Sequence, residues 1–160
     1  MTYRFESIGL IHTPFREAAG MPIQPRYARG VAGTIEVFEP FREGLAGLDG
    51  FSHIHVLYAF HRSAGYDLTV TPYLDQAPHG LFATRAPRRV NPIGLSVVRL
   101  VRVEGAFLHV EDVDMLDGTP LLDIKPFNPT IDNRTGCRVG WMKGKTSGKA
   151  KVLSDDRFAK

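Results

Sequence analysis

The run Ser52-His-Ile-His-Val-Leu-Tyr-Ala-Phe-His61 decides the fold class. Ile54, Val56, Tyr58 and Phe60 share one face and His53, His55, Leu57, Ala59 and His61 the other, because successive side chains of a strand point to opposite faces. One apolar face and one mixed face describe a strand covered by a core on one side. Working outward, Val97–Val103 and Phe107–Val113 flank a short Glu104-Gly105-Ala106 turn and read as a β-hairpin. Gly33–Phe38 sets Ile35 and Val37 on one side, and Thr2–Thr13 carries Phe5, Ile8, Leu10 and Ile11 before Thr13-Pro14 ends the run. Asp67–Tyr73 and Leu121–Ile124 are further short strands, closed by Pro72 and by Lys125-Pro126. Pro40–Leu48 is the helical signal: Pro40 suits a first turn, Phe41, Leu45 and Leu48 fall at helical spacing, and Gly50 follows as a stop. Short strands separated by turns predict an all-β chain, a small closed β-barrel with one short helix and long functional loops.

The chain has 160 residues, enough for one domain with its own core. Residues 1–142 read as the barrel domain and 143–160 as a basic tail carrying Lys143, Lys145, Lys149 and Lys151, with Trp141 as its anchor. The net charge of +3 is mildly basic and compatible with a nucleic-acid partner. Cys137 is the lone cysteine, so the chain has no internal disulfide, which fits a reducing cytoplasm. No apolar run approaches the roughly 18 residues of a membrane-spanning helix, and the N-terminus lacks the apolar stretch of a signal peptide.

The chemistry concentrates in loops. Gly80–Ser96 holds Arg85, Arg88, Arg89 and Asn91 among Pro87 and Pro92, and each proline also pushes its predecessor toward extended geometry. The loop is therefore stiff, and planar guanidiniums suit phosphate, carboxylate and stacked bases. Leu81, Phe82, Ile93 and Leu95 flank it and are expected to anchor its ends in a core. Pro14–Gly33 is too rich in breakers for a plain connector, and Gln24 and Arg26 sit on its proline-stiffened part. Asp114, Asp117 and Asp123 mark an acidic turn region. A basic loop and an acidic turn on one small domain suit a zwitterionic ligand. Other classes lack support. His53 and His55 share a strand face but have no third metal ligand in view. Cys137 has no pattern of a catalytic base around it. Gly140-Trp-Met-Lys-Gly144-Lys-Thr146 has one residue too few between its glycines for a phosphate loop, and no Gly-x-Gly-x-x-Gly is present.

Four blocks occur in order: Ile8-Gly9-x-Ile11-x-Thr13-Pro14-Phe15 with Pro22-x-Gln24-Pro25; Gly50-Phe51-Ser52-His53 leading to Phe60-His61; Phe82-Ala-Thr-Arg85-Ala-Pro87-x-Arg89-x-Asn91-Pro92-Ile93-Gly94; and Leu116-Asp117-Gly118-Thr119-Pro120-x-x-Asp123-Ile124-Lys125-Pro126. Over residues 3–142 the chain resembles the TrmO family (TsaA-like, YaeB-like domain), tRNA N6-adenosine methyltransferases that use S-adenosylmethionine. The resemblance implies a β-barrel, a homodimer and S-adenosylmethionine bound without a Rossmann fold; a cytoplasmic location and no metal are expected from the residues themselves. The resemblance also implies a substrate, adenosine 37 of tRNA carrying a threonylcarbamoyl group on N6. Carried over by motif, the cofactor contacts are Ile23, Gln24, Pro25, His61, Arg62, Arg85, Leu95, Asp117, Gly118, Thr119 and Pro120. Arg88, Arg89, Asn91 and Lys125 are the candidates for RNA, and Asp114, Asp123 and His61 the candidates for a proton acceptor. Val90 stands where the family usually has proline, and the chain is expected to be a short form without the family's C-terminal domain, its basic tail meeting RNA phosphates instead. A non-catalytic S-adenosylmethionine- or RNA-binding module of the same fold is the alternative reading.

Overall fold

The computed structural model describes residues 1–146, 148 and 151–158. Eight strands form in chain order: β1 (Gly9–His12), β2 (Ala32–Val37), β3 (His53–Ala59), β4 (Thr69–Val70), β5 (His79–Gly80), β6 (Ile93–Glu104), β7 (Phe107–Glu111) and β8 (Thr119–Pro126). Six of them close into an antiparallel barrel in the order β1-β2-β7-β6-β3-β8, and β4 and β5 pair apart from it. Closure removes sheet edges, so every barrel strand is paired on both sides. The 12-residue β6 spans from β3 to β7, with register shifts at Leu100–Arg102 and, where β3 meets β8, at Leu57–Tyr58. The interior is built by alternation: Ile11, Ile35, Val37, Ile54, Val56, Tyr58, Val98, Leu108, Val110 and Leu121 all point inward and are buried.

Several elements differ from the sequence expectation. The first strand is Gly9–His12, not Thr2–Thr13, since pairing begins only at Gly9↔Val37 and Phe5 stays exposed. Pro40–Leu48 is not an α-helix. It forms 3₁₀ turns at Glu39–Leu45 and Leu48–Gly50. Gly44 and Gly47 fall inside the segment, Gly47 adopts φ 79°, and each helix-interior glycine costs about 1 kcal/mol relative to alanine. Phe41, Leu45 and Leu48 still pack against the barrel. Asp67–Tyr73 supplies only the two residues of β4. Among the described residues the one α-helical turn, α1 (Pro129–Asp132), is capped by the Asn128 side chain, which accepts from Thr130 N.

The basic loop is anchored differently from the expectation too. Leu81 is buried, but Phe82, Ile93 and Leu95 are exposed. The loop closes instead on its own arginine: Arg89 Nη1 donates to the carbonyls of Thr84 (3.0 Å), Ala86 (3.3 Å) and Leu81 (3.5 Å). After α1 the chain returns to the barrel end. Trp141 stacks on His79 and donates from Nε1 to Ala83 O at 2.8 Å. Leu153 then pairs with Pro22, with Ser154 N donating to Met21 O at 2.8 Å.

Candidate functional site

A cleft of about 670 Å³ opens at this end of the barrel, within the range of small-molecule sites. Six segments wall it, one of them Pro72, Tyr73 and Leu74 after β4. The β1–β2 loop brings Met21, Ile23, Gln24 and Tyr27; the end of β3 brings Tyr58, Phe60, His61 and Arg62. The basic loop brings Arg85, and the acidic turn brings Asp114, Met115 and Thr119. The C-terminal segment adds Trp141, Ser154 and Phe158.

Side-chain hydrogen bonds hold several of these walls in place. Arg85 Nη1 donates to Gln24 Oε1 at 2.6 Å, tying the basic loop to the β1–β2 loop. The acidic turn follows Asp112, whose left-handed φ of 70° ends β7 and whose Oδ1 accepts from Gly30 N. Threonine hydroxyls then satisfy the turn's carbonyls: Thr13 Oγ1 donates to Met115 O (2.8 Å) and Thr119 Oγ1 to Leu116 O (2.7 Å). Asp117 Oδ1 accepts from Thr13 N at 3.0 Å, its other oxygen pairs with Arg16, and Gly118 supplies the φ of 72° that the turn needs. Arg62 Nη1 donates to Arg16 O at 2.8 Å, so the acidic turn and the end of β3 are joined through Arg16.

Beneath the cleft lies a buried polar chain. Ser96 Oγ, on β6, donates to Asp114 Oδ1 at 2.7 Å and lies 3.2 Å from the Tyr58 hydroxyl. Ser96 has one proton and gives it to the carboxylate, so Tyr58 donates to Ser96. Gly94 makes room for this chain, since a Cβ there would meet the Tyr58 ring at 2.2 Å. Burial pushes the Asp114 carboxyl up to about 7, against the opposing pull of Ser96 and Arg85. Burial, with Asp114 second, raises the Tyr58 phenol far above its usual range. His61 Nδ1 lies 3.4 Å from Thr119 Oγ1, and burial, then Arg62, lowers the proton affinity of its ring.

Of the residues singled out from the sequence, the fold brings Ile23, Gln24, His61, Arg62, Arg85, Thr119 and Asp114 to one cleft. Pro25 opens the 3₁₀ turn that carries Tyr27, Asp117 and Gly118 shape the acidic turn, and Pro120 pairs with Leu10 on β1. Leu95 faces outward on β6, opposite Leu57 on β3. Asp123 pairs with Lys125 at 2.7 Å on the barrel exterior. Arg88 pairs with Asp67 at 3.4 Å and Arg89 is spent on loop carbonyls, while Asn91 is exposed away from the cleft lining. In the tail, Lys145 pairs with Asp75, Lys143 and Lys151 are exposed, and Lys149 lies outside the described residues. His55 lies 3.3 Å from Asp132, and no group of three metal-binding side chains occurs among the described residues. Sequence reasoning missed Tyr27, Met115, Ser154 and Phe158 as lining, and treated Tyr58 as core. Alternation gives the inward face of a strand but not which inward residue reaches the open end.

A closed antiparallel barrel that gathers a polar-edged small-molecule cleft on its end loops defines a ligand-binding barrel of the non-Rossmann kind. The model of the tRNA-methyltransferase O N-terminal domain matches residues 10–133, and the chain belongs to this TrmO family. It is 50% identical over 154 residues to a probable S-adenosyl-L-methionine-binding protein of Pyrococcus abyssi, covering 96% of this chain and 84% of that one. It is 37% identical over 142 residues to the tRNA (adenine(37)-N6)-methyltransferase of Escherichia coli, covering 82% of this chain and 60% of that one. The crystal structure of TrmO from Pseudomonas aeruginosa superposes with a TM-score of 0.75 at 41% identity, over 88% of this chain and 62% of that one. The chain thus spans about three fifths of these last two relatives. The C-terminal part of the cleft wall, from Trp141 to Phe158, lies beyond the matched family domain.

Proposed function

We propose that this chain is an S-adenosylmethionine-dependent tRNA methyltransferase acting on N6 of adenosine 37, beside the anticodon, with the threonylcarbamoyl group on that nitrogen as the family resemblance implies. The observation that carries the reading is the convergence of the Arg85 loop and the acidic turn on one cleft in a chain of the TrmO family. The residues present fit the methyl donor. Phe60, Tyr58 and Met115 give an apolar floor, and Arg85 offers a guanidinium suited to the donor's carboxylate. Gln24, His61 and Thr119 supply polar atoms for its sugar and base. When bound, the donor supplies an electrophilic methyl on a sulfonium, a good leaving group.

The protein's own contribution is then to position and to exclude water. The Gln24–Arg85 bridge and the Trp141 and Phe158 wall fix the cleft's shape before binding, so less ordering is left to be done. For RNA, the cleft-lining and exposed Arg26 is better placed than Arg88 and Arg89, which are committed within the protein. Exposed Ile93, Leu95 and Val101 on the outer face of β6 support the reading of a homodimer. The cytoplasm, where tRNA is modified, is the proposed location. Incubating the protein with methyl-labelled donor and tRNA lacking this methylation should place label on N6 of adenosine. Donor binding with no labelled RNA over time would instead identify a non-catalytic binding module.

A further inference from the structure

Asp114 is the one acidic side chain that is buried among the described residues. Its position is costly: among the described residues no salt bridge reaches it, and a buried carboxylate without a paired cation is normally avoided. Asparagine would accept the same Ser96 bond without the charge, so hydrogen bonding alone does not account for an acid here. The two other candidates are less suited to take a proton. Asp123 is outside the barrel in an ion pair with Lys125. His61 lines the cleft, where burial and then Arg62 disfavour its protonated form.

We propose that Asp114 is the proton acceptor of the methyl transfer, with Ser96 and Tyr58 as the positioning residues that hold its carboxylate at the cleft floor. This rests on the methyltransferase reading above. As the nitrogen lone pair forms the N6–CH3 bond, the S–CH3 electron pair returns to sulfur, which becomes a neutral thioether. The N6–H electron pair stays on nitrogen, and the proton passes to the Asp114 carboxylate and later to solvent. N6 is conjugated and weakly nucleophilic, so removing its proton as the bond forms helps most. The groups facing the carboxylate are Ser96 from β6, Tyr58 from β3 and Arg85 from the basic loop, with His61 lining the same cleft. Burial sets the carboxyl near neutrality, where a base is most effective.

The test is single-turnover methyl transfer to unmethylated tRNA between about pH 5.5 and 9, with donor affinity measured by calorimetry. The wild-type rate should rise with pH and level off near 7. Asp114→Asn should leave donor affinity within about threefold, lower transfer on the order of 10²- to 10⁴-fold, and lose the bend. Ser96→Ala removes a bond that favours the ionised form, so it should lower transfer at neutral pH and move the bend to higher pH. That shift keeps the idea testable should Asp114→Asn fold poorly. Wild-type transfer and an unmoved bend in both variants would overturn the assignment. A wild-type protein that binds the donor but never methylates tRNA would overturn the methyltransferase reading, and the proton acceptor with it.

Discussion

The buried carboxylate makes a prediction about stability that needs no substrate. In the unfolded chain Asp114 titrates near 3.8, and in the folded protein near 7. Between those values the folded state holds a proton that the unfolded state has lost. Stability therefore falls as pH rises from about 4 to about 7 and levels off above, the reverse of a salt-bridged aspartate. The gap is about three pH units at about 1.4 kcal/mol each, so ionised Asp114 costs the fold about 4 kcal/mol at pH 8. Asp114→Asn removes that titration while keeping an acceptor for Ser96. Urea unfolding of both proteins at pH 5 and pH 8 isolates it, because the other titrating groups cancel in the difference. The advantage of the variant should grow by about 3 kcal/mol between the two pH values. A difference constant to within about 0.5 kcal/mol would refute the reasoning, since it would mean that the carboxyl titrates alike in both states.

Gly94→Ala drives a methyl group into the Tyr58 ring, so it should cost about 1–3 kcal/mol in thermal unfolding and weaken ligand binding by displacing the cleft floor. Arg85→Ala breaks the bridge to Gln24 on an exposed surface, so it should leave stability within about 0.5 kcal/mol while weakening S-adenosylmethionine binding more than tenfold by calorimetry. Arg89→Ala leaves loop carbonyls without their donor and should cost about 1–3 kcal/mol in stability, with an unchanged salt dependence of tRNA binding. Arg26→Ala should do the opposite, leaving stability alone and lowering the slope of tRNA affinity against salt by about one.

The barrel was legible because its signal is local. Strict alternation in His53–Ala59 and the Gly105 hairpin set strand phase, and phase alone puts Ile54, Val56, Leu108 and Val110 inside. Pro40–Leu48 misled because its apolar spacing is helical while Gly44 and Gly47 loosen the backbone; spacing reports the buried face, not the hydrogen-bond pattern. The arginines of the basic loop were indistinguishable by type. Only the fold separates Arg85, reaching Gln24 across the cleft, from Arg89, turned in on Leu81, Thr84 and Ala86. The role of the C-terminal segment was illegible beyond Trp141. The pairing of Leu153 with Pro22 joins positions far apart in sequence, and no short-range pattern encodes it. Asp114 was visible as an acid in a turn, but its burial against Ser96 and Tyr58 depends on three separate strands or turns meeting at the barrel end.

The most direct measurement is the structure of the protein with S-adenosylmethionine bound. The account predicts the donor between Gln24, Arg85 and Thr119, its methyl toward Asp114. A donor seated on the outer face of the barrel, away from the Arg85 loop and the acidic turn, would contradict it.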